Sequence, residues 1–336
     1  MQQVADSLGV SKQTVSAAIN GKPGITAETR ERVLAACERL GYLPDFTARS
    51  LATGRTSTIG LIVSDTSSPF IGRLVVIAED YAHSCGYSLV IYNTHDDVER
   101  ESAYFQDAMQ RRVDGVVFIS ATDHCPGLDI LRTAGIPAVA IDRVPDPYEG
   151  TAVMLDNDKT GRLAAEHLLS LGHTRIAHIC GPQPETVRMS RERLRGFREV
   201  LEAGGVASAL RIEPATGWDY EAGYHAMQNL LRQAQRPTAV FAAGDVLAIG
   251  ALRAAREADL LVPRDLSMVG VDDIDSAAYQ NPPLTTIRQS IPELARLGLQ
   301  LLFDILDGNE PSQAGTVMEP ELVMRQSTAR PGTDSG

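Results

Sequence analysis

Ile59-Gly-Leu-Ile-Val63, closed by the polar pair Ser64-Asp65, is too short for a buried helix and too uniformly apolar for a strand with one wet face. Seven similar runs follow. Four are Ser88-Leu-Val-Ile-Tyr92, Gly115-Val-Val-Phe-Ile119, Ala138-Val-Ala-Ile141 and Ala152-Val-Met-Leu155. The others are Arg175-Ile-Ala-His-Ile179, Ala239-Val-Phe-Ala242 and Ser267-Met-Val-Gly-Val271. Short strands apolar on both faces belong to parallel sheets covered by helices on each side. Alternation with helical stretches predicts a doubly wound α/β architecture with right-handed crossovers. Eight or more such strands over about 270 residues fit two sheets better than one, and so two lobes. Ligands of open α/β sheets sit beyond the carboxyl ends of the strands, so two facing lobes make a cleft. Polar residues stand at those ends: Asp65, Asn93, Asp142-Arg143, Asp245 and Asp272-Asp273. Any one of them reads equally well as a cap or turn former; their recurrence favours a site.

Before residue 58 the pattern is helical only. Val4–Leu8 and Ser11–Asn20 are two short stretches separated by Gly9, and Ala27–Leu40 is a third that stops at Gly41. Ala5, Gly9 and Val15 have the spacing of a helix-turn-helix: a small residue at the crossing, glycine in the turn, a β-branched plug at the junction. Ser11 caps the second stretch, where Val15 and Ile19 face inward and Lys12, Gln13, Ser16, Ala17 and Asn20 face out. Lys suits guanine acceptors and Gln the adenine edge, the residue types of a groove-reading helix. The third stretch packs through Val33, Cys37 and Leu40.

The 336 residues carry 31 Lys+Arg against 43 Asp+Glu, a net charge of −12, the opposite of what nucleic-acid binders usually show. The charge is unevenly spread. Residues 1–58 hold seven basic and five acidic side chains, +2, leaving −14 for the rest. No signal peptide and no membrane-length apolar run is visible, and Cys37, Cys85, Cys125 and Cys180 form no C-x-x-C pair. A cytoplasmic protein without disulfides, metal or other cofactor is expected. The polar end, Ser327–Gly336, reads as a disordered tail.

Val10-Ser-Lys-Gln-Thr-Val-Ser16, Asn20-Gly-Lys-Pro-Gly24, Thr29-Arg-Glu-Arg-Val33, Leu40-Gly-Tyr-Leu-Pro44 and Ala48-Arg-Ser-Leu-Ala52 closely resemble the headpiece and hinge of the lactose-repressor (LacI/GalR) family. The resemblance continues through Ser68-Pro-Phe70, Arg112-Val-Asp-Gly-Val116, Glu166-His-Leu-Leu-Ser-Leu-Gly-His173 and Leu284-Thr-Thr-Ile-Arg-Gln289. It implies a headpiece over 1–44, a hinge helix and linker over 45–57, and a two-lobed core over 58–326 like type I periplasmic binding proteins. Within that frame Lys12, Gln13 and Ala17 occupy the base-reading positions, with Ser11, Thr14, Ser16 and Asn20 beside them. Ala48, Arg49 and Leu51 fall on the hinge helix, Leu51 as an apolar wedge in the minor groove. Ala17 departs from the Arg common in the family, and the chain starts almost inside its first helix, without the family's Thr cap.

For the core, the resemblance assigns Arg193 to clamp effector oxygens, Asp272 to accept ligand hydrogen bonds and Trp218, the only tryptophan, to stack a ring; Phe70 and Asp142 complete the wall. Gly244 replaces an Asn that often contacts ligand. The expectation is a dimeric, ligand-responsive repressor of palindromic double-stranded operator DNA. Its effector would be a sugar or sugar derivative, with a purine as the other ring that Trp218 would stack. The rivals are a sugar-binding transport component, which predicts a signal peptide and no headpiece, and an α/β enzyme. Against an enzyme stands the lack of G-x-G-x-x-G, G-x-x-x-x-G-K-[ST], G-x-S-x-G and H-E-x-x-H.

Overall fold

The computed structural model describes residues 1–19, 23–42, 54–182, 187–309 and 315–332. Two compact units divide between Ser57 and Thr58. In the first, α1 (Gln2–Leu8), α2 (Lys12–Ile19) and α3 (Ala27–Arg39) close on Val4, Ala5, Val15, Ala18, Val33, Ala36 and Cys37. Gly9, at φ 65, ends α1 in the left-handed region that a side chain would strain. The hydroxyl oxygens of Ser11 and Thr26 accept the Thr14 and Thr29 N–H groups at 3.0 and 3.2 Å, capping α2 and α3. Leu40 departs from expectation. It is 43% exposed, and Ala36 fills the inward position of that turn.

The second unit holds two six-stranded sheets. The first orders its strands β11 (Gly315–Met318), β5 (Thr151–Leu155), β4 (Ala138–Ile141), β3 (Gly115–Phe118), β1 (Thr58–Val63) and β2 (Ser88–Asn93), all parallel. The second runs β12 (Glu321–Val323), β10 (Thr285–Arg288), β9 (Ser267–Asp272), β8 (Ala239–Ala242), β6 (Ile176–Cys180) and β7 (Arg211–Pro214). Only β12 is antiparallel to its neighbour. Helices α4 (Pro69–Ser84), α5 (Val98–Gln110), α6 (Leu128–Ala134) and α12 (Ile291–Leu306) belong to the first lobe. To the second belong α7 (Asn157–Ser170), α8 (Arg188–Ala203), α9 (Tyr220–Leu231), α10 (Asp245–Glu257) and α11 (Asp275–Ala278). The chain passes between lobes three times, after β5, β10 and β11.

All eight apolar runs are strands, within one residue at either end. Each sheet reverses its strand order beside its first strand, at β1/β3 and at β6/β8, which opens a crevice at the carboxyl ends. In the second lobe α7 and α8 cross backbone to backbone: a Cβ on Gly161 would lie 2.0 Å from the Arg193 carbonyl oxygen, and one on Gly196 2.0 Å from that of Asp158. Only glycine fits there, and the crossing fixes the position of Arg193.

Of the segment expected to be a disordered tail, the first residues are ordered, and 333–336 lie outside the described residues. Ser327 is fully buried, accepting the Thr285 N–H at 2.8 Å and donating to the Met268 carbonyl at 2.6 Å. His167 pairs with the Thr328 hydroxyl at 3.0 Å, and His173 Nε2 donates to the Ala329 carbonyl at 2.9 Å. Polar atoms that looked solvent-bound are spent on backbone groups of β9 and β10. Among the described residues no helix is long and apolar enough to cross a membrane.

Candidate functional site

On α2, Lys12 and Gln13 are exposed at the amino end while Ser16 and Ala17 are half-buried one turn on. Ser11 and Thr14 hydroxyls are paired with each other at 2.9 Å. Val15 is buried in the core as expected, with Ala18 beside it, while Ile19, also expected inward, is partly buried against that core. Asn20, Ala48, Arg49 and Leu51, and with them the hinge helix, lie outside the described residues.

In the second unit a cavity of about 410 Å³ opens between the lobes at the carboxyl ends of both sheets. Phe70, Asp142, Arg193, Trp218 and Asp272, singled out from five separate stretches, all line it. The wall follows from topology. Ser64 and Asp65 come from the end of β1, His95 and Asp96 from beyond β2, and Asp142 and Arg143 from β4. Trp218 follows β7, Ala243 follows β8 and Asp272 ends β9. Several of these residues sit at positive φ: His95 at 53°, Asp96 at 59°, Asp142 at 60° and Asp272 at 109°. Backbone strain of this kind, about 1–3 kcal/mol per residue, collects at ligand sites, where the surrounding fold over-determines it.

Arg193 is 2% exposed. Its Nε donates to Asn157 Oδ1 at 2.8 Å and its Nη1 to the Ala243 carbonyl at 2.6 Å, so α7 and β8 aim it. Burial lowers its pKa, an effect that Asp272, Asp142 and Glu192 oppose. Burial, with Asp245 behind it, holds the Asp272 carboxyl well above the usual carboxylate range against the pull of Arg193. Asp142 accepts a hydrogen bond from Gln289 at 2.8 Å, a contact from the second lobe at the β10 crossing. The Trp218 ring lies against the backbone at Gly181, where a Cβ would be 2.2 Å from ring atoms.

Not every polar strand end reaches the cavity. Asp245 is buried beneath it, accepting from Thr286 at 2.6 Å and from the Ile274 N–H at 3.0 Å, with Gly270 leaving room for the carboxylate. Asp273 pairs with Arg288 and Arg325, and Asn93 bonds Thr66. These are tertiary hydrogen bonds and ion pairs rather than helix caps. Arg143, noted beside Asp142 at its strand end, forms an ion pair on the wall with Asp96, which no sequence signal marked. Behind them the buried Glu101 accepts the Ala121 N–H at 2.8 Å and the Cys125 thiol at 3.2 Å, which fixes the loop after β3. That loop carries Asp123, which spans the cleft to α8: it accepts the Arg188 N–H at 2.7 Å and Arg191 Nη1 at 2.5 Å. Asp146 meets the same guanidinium at 3.1 Å.

Comparison with known proteins gives these two units their context. Residues 1–45 match the model of bacterial regulatory proteins of the lacI family, and 165–328 that of the periplasmic binding protein-like domain. The ribose operon repressor of Escherichia coli K12 is 35% identical over 97% of this chain and 99% of its own length. The HTH-type transcriptional repressor PurR of Pasteurella multocida is 34% identical over 97% and 98%. The crystal structure of the lac repressor dimer bound to operator and the anti-inducer ONPF superposes with a TM-score of 0.87 at 29% identity, covering 97% and 98%. With relatives aligned along nearly its whole length, the chain belongs to the lacI family of bacterial regulatory proteins.

Proposed function

We propose that the chain is a ligand-responsive transcriptional repressor that binds a palindromic operator as a homodimer and is controlled by a small sugar or sugar derivative. The observation that carries the reading is the meeting of Phe70, Asp142, Arg193, Trp218 and Asp272 on one cavity, in a chain that also presents Lys12 and Gln13 on a helix-turn-helix. A short headpiece reads too few base pairs alone, and two related by a twofold axis read a palindrome. Trp218 offers an aromatic face to the C–H side of a ring, while Asp142, Asp272 and Arg193 offer acceptors and donors for its hydroxyls. Ligand occupancy acts on DNA by favouring one arrangement of the lobes, a coupling free energy between two sites. Leu51 at the hinge and the outward residues of α2 are the DNA side of that coupling.

A thermal-shift screen of sugars, polyols, sugar acids and nucleobases, followed by gel shift with the hits, tests it. The expected result is a sugar that stabilises the chain and changes its affinity for operator DNA. A stabilising sugar that leaves DNA affinity unchanged sinks the coupling; stabilisation by a nucleobase alone replaces the ligand class.

A further inference from the structure

Among the described residues the cavity wall carries five carboxyl groups, Asp65, Asp96, Asp142, Asp219 and Asp272, against two guanidiniums, Arg143 and Arg193. Arg143 is already neutralised by Asp96 and also donates to the Ala121 carbonyl. Arg193 has two of its nitrogens turned to Asn157 and Ala243. Asp65 is kept ionised: burial alone would raise it, but the Ser67 N–H and hydroxyl, each 2.9 Å from it, hold its pKa low. Setting the Arg143–Asp96 pair aside, and leaving out Asp272, whose carboxyl burial holds above the usual carboxylate range, Asp65, Asp142 and Asp219 face one cation.

We infer that the cavity selects an uncharged polyhydroxylated ligand and rejects the phosphorylated or carboxylate form of the same sugar. This rests on the sugar reading above and narrows it. An entering anion gives up hydration in a half-enclosed site and meets a net negative wall with one partly committed guanidinium, a cost that the surplus of acceptors cannot offset. A neutral polyol meets the reverse: carboxylate oxygens accept its hydroxyls while Trp218 and Phe70 cover its apolar face. A consequence for the signal follows. Phosphoryl transfer to the effector, the usual chemistry of a sugar kinase, converts it into a species this cavity excludes, so that class of reaction ends the response.

Isothermal titration of the full chain reads the inference. The panel is D-ribose, D-xylose, D-glucose and cellobiose, each monosaccharide beside its terminal phosphate and its aldonic acid, with hypoxanthine as the non-sugar member. The expected result is a neutral sugar that binds at least about tenfold more tightly than its phosphate and its acid. A phosphate or acid that binds as tightly as its parent overturns charge selection while leaving the sugar reading intact. Binding by hypoxanthine alone, or by no member, overturns both.

Discussion

Residue 17 is proposed, by resemblance to the family, to read a base, and this chain has Ala there in place of the common Arg. Its methyl group on the outward side of α2 cannot make the bidentate contact of an arginine with guanine, worth about 1–3 kcal/mol. Ala17→Arg is expected to shift the base selected at one symmetric position of the operator, with the change visible in a selected-site binding profile. An unchanged profile removes residue 17 from base reading. In the core, Gly181 packs against the Trp218 ring on the cavity wall. A methyl group there would lie 2.2 Å from the Trp218 ring. Gly181→Ala is expected to displace the ring, costing about 1–3 kcal/mol of stability by overpacking. Sugar affinity measured by calorimetry should fall by roughly tenfold or more, a comparable free energy; unaltered affinity would show that the ring is not a platform.

Elements were legible where burial is apolar and obscure where it is polar. The eight central runs declared themselves because strands covered on both faces need hydrocarbon on both faces. β7 was missed because it is an edge strand with a largely wet surface. β10 was recognised only as a family motif, since Thr285 and Thr286 are fully buried yet polar, their hydroxyls spent on Arg325 N–H and Asp245. The tail misled for the same reason. Ser327→Ala, which leaves the Thr285 N–H and the Met268 carbonyl without their partner, is expected to lower the unfolding free energy by about 2 kcal/mol in a urea titration. His178 on β6 adds a pH term. Its ring stacks on Phe241 with centroids 4.7 Å apart and its Nδ1 meets the Phe241 carbonyl at 2.9 Å. Burial takes its pKa from 6.5 down to about 4. The unfolded chain therefore binds the proton first as pH falls, so stability present above pH 6.5 is lost towards pH 4, by about 3 kcal/mol. Asp245, pushed up by burial, runs the other way, so the measurement is a difference. Wild type should lose that amount relative to His178→Phe over this window, and parallel curves would refute the assignment.

For the whole core, three crossings join the lobes, and the bridge from Asp123 and Asp146 to Arg188 and Arg191 spans the cleft between them. Arg191 is 38% exposed and Asp123 18%, so the bridge is screened by salt and each pair contributes modestly. Asp123→Asn with Asp146→Asn is expected to weaken sugar binding several-fold at low salt, with scattering showing a larger radius of gyration for the core. Rising ionic strength should erase the difference between variant and wild type; a salt-independent gap would assign the loss to something other than the ion pairs. The cavity's wall was readable because strand ends are set by topology, whereas this cross-cleft bridge joins Asp123 and Asp146 on loops that no periodicity marks to Arg188 and Arg191 on α8, 45 to 68 positions away. The chain's sole indole is the one standing in the cleft, so its native emission reports occupancy from a single place, without labels and without background from any other tryptophan.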